Sequence, residues 1–249
     1  MGCLVRFEPV STATFKQAER GKVDIASAAV LRKIQDFMRE KDEESNYRLF
    51  RAVRGIPAFQ TFRAYFMEGE AHRCFERLQC VQVQLLGTAD VRKVNFPELK
   101  RVRFSHMDML DLTQMSADDY VTPTISNFPS VDSFAALDKS LFDDRGRGKA
   151  LAMFQITVSD DHSVRGPDLE NVHDRVCLLL GVQSLPVLLV YVTTPDGVRA
   201  PQNILNEEGH VYARVPAFVK GVKQYALLLG GRFEEYANGW KVAQDANLR

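Results

Sequence analysis

The sequence predicts an α/β protein built on a mixed sheet, and three kinds of segment carry that prediction. Residues 81–86 and 100–104 alternate apolar and polar side chains, which is typical of strands with one buried face. Residues 186–192 form a continuous apolar run, as in a strand that is buried on both faces. Residues 169–180 place Val172, Val176, Leu179 and Leu180 on one helical face. Strands and helices therefore occur together along one chain, which predicts an α/β protein with a mixed sheet.

The remaining elements follow from the same periodicities. The apolar stripe and the first-turn proline of residues 57–80 predict a helix ahead of the first strand. Residues 105–127 are rich in Asp, Ser, Thr and Met and are expected to be mostly irregular. Further strands are predicted at about 129–137 and 150–158. The run 215–229 fits either a last helix or a strand–helix unit, because its periodicity does not decide between them.

The chain divides, by composition, into three parts. Residues 1–56 are predicted to be a helical extension, since residues 13–44 are rich in helix formers with apolar side chains at three- and four-residue spacing. A charge run at 41–45 and the Gly55-Ile-Pro57 stop signal close it. Residues 57–232 are predicted to form the main domain, and residues 233–249 a C-terminal tail.

The bulk numbers exclude several classes of protein. Lys and Arg together number 32, as do Asp and Glu, so the zero net charge gives no global electrostatic reason for a nucleic-acid partner. No stretch approaches the roughly 18 apolar residues of a membrane span, and we expect no membrane partner. The N-terminus has no basic flank before a long apolar core, so no signal peptide is visible in this chain.

One pair of polar positions stands out among the predicted strands. Asp132 and Gln155 interrupt apolar strands 23 positions apart, and Thr157 shares the strand face of Gln155. Metal-dependent nucleases hold Mg²⁺ with oxygen ligands on neighbouring strands, and a nearby lysine orients water. Asp132 can supply a carboxylate, and Gln155 an uncharged carbonyl oxygen. Thr157 stands in place of the lysine and can only position water or a phosphate.

Each of these residues also has a purely structural interpretation. Asp132 could cap a turn after Ser130, and Gln155 could satisfy backbone groups at a sheet edge. Thr157 is a good strand former in its own right. A strip of basic side chains either contacts phosphate or prevents an edge strand from pairing with another chain. The strip consists of Lys93, Lys100, Arg101 and Arg103. The polar link 138–149 carries a second basic segment, the tip Arg145-Gly-Arg-Gly-Lys149.

Several segments together resemble the C-terminal domain of the Crinkler and retrotransposon-hot-spot (RHS) effector family. They are Pro-Ser-Val-Asp-Ser-Phe at 129–134, Met-Phe-Gln-Ile-Thr-Val-Ser at 153–159 with His162 after it, and Val-Lys-Gln-Tyr at 222–225. Met-Glu-Gly-Glu-Ala-His at 67–72 resembles an element of the family's first core helix. The resemblance runs in family order over about residues 57–230 and implies a restriction-endonuclease-like, PD-(D/E)XK, mixed sheet flanked by helices.

The resemblance also implies a site and an activity. It makes Glu68, Asp132, Gln155 and Thr157 the active-site constellation, with Mg²⁺ held by Asp132, Gln155 and Glu68. His72 and His162 would lie near it. The family relation implies a secreted pathogen effector that cleaves host DNA in the host nucleus.

Two alternatives to this activity stay open. One is a catalytically inactive nuclease-fold module that binds host nuclear protein or DNA and modulates host cell death or immunity. The other is a domain that needs an ATPase partner, because the family's P-loop pattern is absent from this sequence.

Overall fold

The computed structural model describes residues 5–8, 22–25, 50, 52, 56, 60–77, 79–104, 119–123, 130–194 and 197–228. The chain divides into two compact units, Met1–Glu70 and Ala71–Arg249. Among the described residues, none of the helices is both long and apolar enough to cross a membrane. The predicted boundary after residue 56 stays a prediction, and the predicted tail at 233–249 lies outside the described residues.

The first unit contains a strand pair where a helix was expected. Strand β1, Val5–Glu8, pairs antiparallel with β2, Lys22–Ile25. The predicted helix over 13–44 is therefore wrong at these four residues of β2. The reason is that Lys-Val-Asp-Ile alternates polar and apolar side chains with the period of a strand. Phe50 and Ala52 are helical, and most of the remaining extension lies outside the described residues.

Helix α1, Gln60–Phe75, confirms that a helix precedes the first strand, but the predicted range of 57–80 is wrong at residues 79 and 80, which already belong to that strand. Four strands follow: β3 at Gln79–Leu85, β4 at Val91–Phe96, β5 at Lys100–Phe104 and β6 at Asp119–Pro123. The predictions of β3 and β5 are confirmed. The irregular structure expected for 105–127 is wrong at β6, a strand whose first four residues are buried. Strand β4 was also not predicted, because half of its residues are polar and turn signals surround it.

The second half of the chain alternates strands and helices. Strand β7 spans Ser133–Asp138, and a 3-10 helix at Lys139–Leu141 opens the link to β8 at Lys149–Ile156. The short β9 at Val164–Arg165 leads into α2 at Gly166–Leu180, which is followed by β10 at Val187–Thr193. Neither alternative predicted for 215–229 is correct, because this run contains a short helix followed by a strand. The last elements are β11 at Ile204–Leu205, α3 at Ala217–Gly221 and β12 at Lys223–Leu228.

Eight of these strands form one mixed sheet in the order β4-β3-β12-β10-β8-β7-β6-β5. Strand β10 runs parallel to both β8 and β12, and β5 runs parallel to β6. The other neighbours in the sheet are antiparallel. The α/β class with a mixed sheet is thus confirmed. Helix α2 connects β8 to the parallel strand β10, as parallel neighbours require a crossover.

The two faces of β8 have different partners. Leu151 and Met153 belong to a hydrophobic cluster with Val172 and Val176 of α2. Phe154 points to the opposite face, because strand side chains alternate. There its ring centroid lies 4.6 Å from that of Phe75. The alternation therefore places the next residue, Gln155, on the α2 face at the end of the strand.

Candidate functional site

Asp132 lies immediately before β7 and against the end of β8. Its backbone N–H donates to the carbonyl of Phe154 at 2.8 Å. Its Oδ2 accepts the backbone N–H of Ile156 at 2.6 Å and the side-chain Nε2 of Gln155 at 2.9 Å. The structure thus brings Asp132 and Gln155 together across neighbouring segments that are 23 residues apart.

Two of the predicted site residues lie just outside the strands that were predicted to carry them. Strand β7 begins at Ser133, so Asp132 precedes it, and β8 ends at Ile156, so Thr157 follows it. The predicted strand at 129–137 is therefore wrong at residues 130–132, and the predicted strand at 150–158 is wrong at residues 157 and 158. The Thr157 side chain is buried and its Oγ1 accepts the N–H of Ser159 at 3.0 Å. This bond closes a local turn, so Thr157 has a structural role, but it is that of a turn residue and not that of the strand former that was predicted.

Glu68 lies on α1, in the first of the two units, and is half-buried. Asp132, Gln155 and Thr157 all belong to the second unit. The predicted role of Glu68 as a metal ligand stays a prediction. The site described below is built from residues of the second unit alone.

A row of polar side chains crosses the end of the sheet on the face that α2 covers. Gln155 is in register with Tyr191 on β10, so the two side chains are neighbours on that face. Among the described residues, the buried hydroxyls of Tyr191, Thr193 and Thr194 have no hydrogen-bond partner. Desolvation raises the pKa of the Tyr191 hydroxyl, and the charge of Asp161 raises it further, so it stays protonated at neutral pH.

The segment ahead of Asp132 is tied to the start of α2. Ser130 adopts a left-handed backbone with φ of 60°, a conformation that non-glycine residues rarely adopt. Its hydroxyl donates to Asp168 Oδ2 at 2.7 Å and accepts the N–H of Arg165 at 3.0 Å. These two bonds hold a strained residue close to Asp132, and strain of this kind concentrates at functional sites.

A buried hydrogen-bond chain reaches the other face of the same strand end. The hydroxyl of Ser133 donates to that of Tyr120 at 2.8 Å, and Tyr120 lies 2.6 Å from Nδ1 of His72. His72 was expected near the site. It is linked by way of the Tyr120 hydroxyl to Ser133, the residue next to Asp132. Tyr120 belongs to the unpredicted strand β6 and had no sequence signal.

The Asp132–Gln155 pair fits a magnesium ion if the glutamine amide turns over. Cis ligands of an octahedral Mg²⁺ site lie about 3.0 Å apart, because each metal–oxygen bond is about 2.1 Å. The two side-chain atoms are 2.9 Å apart, and amide rotation exchanges the nitrogen for the oxygen. Within the described part of the chain, no group of three or more His, Cys, Asp or Glu could hold a metal. The pair itself offers two oxygen ligands, and Mg²⁺ in proteins commonly keeps several waters beside one or two protein ligands.

Comparisons with known proteins return no match to this chain from the family models, the curated proteins or the solved structures. The likeness to Crinkler and RHS effectors therefore rests on the motifs alone.

The unpartnered hydroxyl of Tyr191 leads to a prediction about stability. We expect Tyr191→Phe to raise the free energy of unfolding by up to about 1 kcal/mol, because the phenylalanine buries no unsatisfied hydroxyl. The matched control is Tyr120→Phe, which removes a buried hydroxyl that has two partners. That variant should lose about 1–3 kcal/mol. Urea unfolding of both variants measures the difference, and a larger loss in Tyr191→Phe than in Tyr120→Phe would contradict the expectation.

Proposed function

We propose that this protein is a Crinkler/RHS-type effector domain with a restriction-endonuclease-like core that hydrolyses phosphodiester bonds in host DNA with Mg²⁺. One observation carries the proposal: the Asp132 and Gln155 side chains converge where the parallel strands β8 and β10 end. In open α/β sheets, ligands bind outside the carboxyl ends of such strands. Secretion and action in the host nucleus come with the family resemblance.

The chain's own residues have distinct parts in this proposal. Asp132 and Gln155 hold Mg²⁺ through their side-chain oxygens, and Glu68 is the third ligand that the resemblance implies. A bound Mg²⁺ supplies positive charge for the phosphate and activates the attacking water. The Thr157 hydroxyl already accepts one hydrogen bond and keeps its own proton to donate to a water or a phosphate oxygen.

A cleavage assay with an isosteric variant tests the proposal. The purified chain is incubated with plasmid DNA in Mg²⁺ or Mn²⁺, and Asp132→Asn is compared with the wild type. We expect Asp132→Asn to lower the cleavage rate by about 100-fold or more, as for loss of an electrostatic group at a reacting centre. The matched control is Asp174→Asn, which changes an exposed acid on α2. Equal cleavage by Asp132→Asn and wild type, or no metal-dependent cleavage at all, refutes the nuclease.

A second candidate, the catalytically inactive module that binds host protein or DNA, is favoured by the hydrogen bonds of Asp132 themselves. Its Oδ2 already accepts two N–H groups from β8, so the carboxylate also serves as a structural tie between two strands. Calorimetric titration with Mg²⁺ separates the two functions. The binding module predicts no heat of Mg²⁺ binding, and DNA binding that is the same in wild type and Asp132→Asn.

A further inference from the structure

A small cavity lies at the opposite end of the central strands from Asp132. It opens between the first residues of β10 and β12 and the 3-10 helix that follows β7, and its volume is about 50 Å³. Phe142 and Tyr225 form an aromatic wall, with ring centroids 5.4 Å apart. Lys139, Lys223 and Asp143 supply the charged groups of its lining.

The acidic residues around this cavity already have partners. Asp138 accepts the N–H of Ser140 at 2.9 Å, and Asp143 accepts the N–H of Arg145 at 3.0 Å. Asp143 also pairs with Lys223 at 3.4 Å, and Asp144 pairs with Arg92. These backbone hydrogen bonds are the main reason that the pKa values of Asp138 and Asp143 are lowered. These three acids are outnumbered by the cations of the link and of its ion-pair partners, which are Lys139, Arg145, Arg147, Lys149, Arg92 and Lys223.

Three cations of the same link remain unpaired within the described part of the chain. The side chains of Lys139, Arg145 and Arg147 make no ion pair or hydrogen bond there, and both arginines are exposed. The local charge is therefore positive although the whole chain is neutral. Lys139 lines the cavity, and the two arginines lie on the segment that follows it in the same link, so this region is complementary to an anion.

The backbone of the link holds these cations close to the cavity. The N–H of Lys139 donates to the carbonyl of Gly148 at 2.9 Å, and Gly146 donates to Asp143 at 2.7 Å. A side chain at position 146 would come within 2.8 Å of Lys139, so only glycine fits there without a shift of the backbone. Gly148 has a φ of 75°, which favours glycine as well. The two glycines let the chain wrap around Lys139 with both arginines on the wrapping segment.

We propose that this link and cavity form a phosphate-binding site in which Lys139, Arg145 and Arg147 hold the phosphate group of a nucleic-acid backbone or of a free nucleotide. Guanidinium groups bind phosphate oxygens in a bidentate way, and lysine adds a point charge. The site uses neither Asp132 nor Gln155, so it does not depend on the proposed nuclease activity.

Binding of labelled oligonucleotides to the full chain in EDTA tests the site without any metal-dependent cleavage. The variant is Arg145→Ala/Arg147→Ala, and the matched control is Arg77→Ala/Arg214→Ala, which removes two exposed arginines elsewhere. We expect the first variant to lose about tenfold in affinity near 100 mM salt. The slope of log K against log salt should also fall by about 1–2, one unit or slightly less for each phosphate contact removed. The control should bind like the wild type.

A second arm distinguishes the source of the phosphate. Calorimetric titration with ATP and with inorganic phosphate is run on the same proteins. Loss of ATP binding with unchanged oligonucleotide binding assigns the site to free nucleotides, and the reverse assigns it to nucleic acid. Lys139→Glu, which reverses one charge without touching the arginines, repeats the test if the double variant melts early. Unchanged binding of all three probes and an unchanged salt slope would overturn the proposal.

Discussion

Asp132→Ala is expected to lower the free energy of unfolding by about 2–4 kcal/mol. The carboxylate accepts the N–H of Ile156 and the Nε2 of Gln155, and hydrogen bonds to a charged acceptor contribute about 1.5–3 kcal/mol each. The variant leaves both donors without that acceptor, and Gln155 is only 7% exposed, so water replaces the lost bonds poorly. Chemical denaturation at neutral pH measures the loss.

Asp132→Asn is the control for this prediction. Its amide oxygen can still accept the N–H of Ile156, and its amide nitrogen can donate to Gln155 after the glutamine turns over. The asparagine variant should therefore lose less than half of what the alanine variant loses. Equal losses would mean that the charge, and not the hydrogen bonds, holds the strand ends together. The same reasoning is why the cleavage test uses asparagine: a loss of activity in the alanine variant could follow from the loss of structure alone.

Phe154→Ala is expected to have the largest effect on stability, about 3–5 kcal/mol, as for other buried phenylalanines. The side chain is fully buried, and its ring lies 4.6 Å from that of Phe75 and 5.9 Å from that of Tyr120. Truncation removes these contacts and leaves a cavity that a central strand of the sheet cannot close. Urea unfolding should show a lower midpoint with an unchanged slope.

The matched control is Phe218→Ala. Phe218 is half-buried, and its ring centroid lies 5.4 Å from that of His173. It should cost less than half as much as Phe154→Ala, because less of its surface leaves water on folding. If the two variants were equally destabilised, the aromatic cluster around Phe154 would not be a main source of stability in this sheet.

The helices and strands whose apolar residues recur at a clear spacing were predictable from the sequence. Helix α2 places Val172 and Val176 on its buried face, as its spacing predicts, and β10 is buried over its whole length, as its apolar run predicts. Strands β4 and β6 were not predictable in the same way. They are short, rich in polar residues or flanked by turn formers, and they become strands because neighbours in the sheet supply their hydrogen bonds.

The site was predictable in part. Asp132 and Gln155 were recognised because a polar residue in an apolar strand has to find a partner, and each is the other's partner. Ser130, Tyr120 and Tyr191 were not recognised. Their significance lies in a backbone angle, a cross-strand hydrogen bond and an unpartnered buried hydroxyl, none of which has a sequence pattern. Tyr191 resembles any aromatic residue of a buried strand until its neighbours are known.

By itself the sequence determined the α/β class, the order of the strongly periodic elements and the pair of polar positions, because these follow from local side-chain spacing. Only the tertiary structure decided which strands are neighbours and which way each side chain points at a strand end. That is why Gln155 presents its nitrogen to Asp132, and why Thr157 closes a turn. It is also why Asp143 of the β7–β8 link meets Lys223 of β12 beside a cavity, although the two residues are 80 positions apart in the chain. Long-range pairing is a property of the whole sheet, and no local window of sequence contains it.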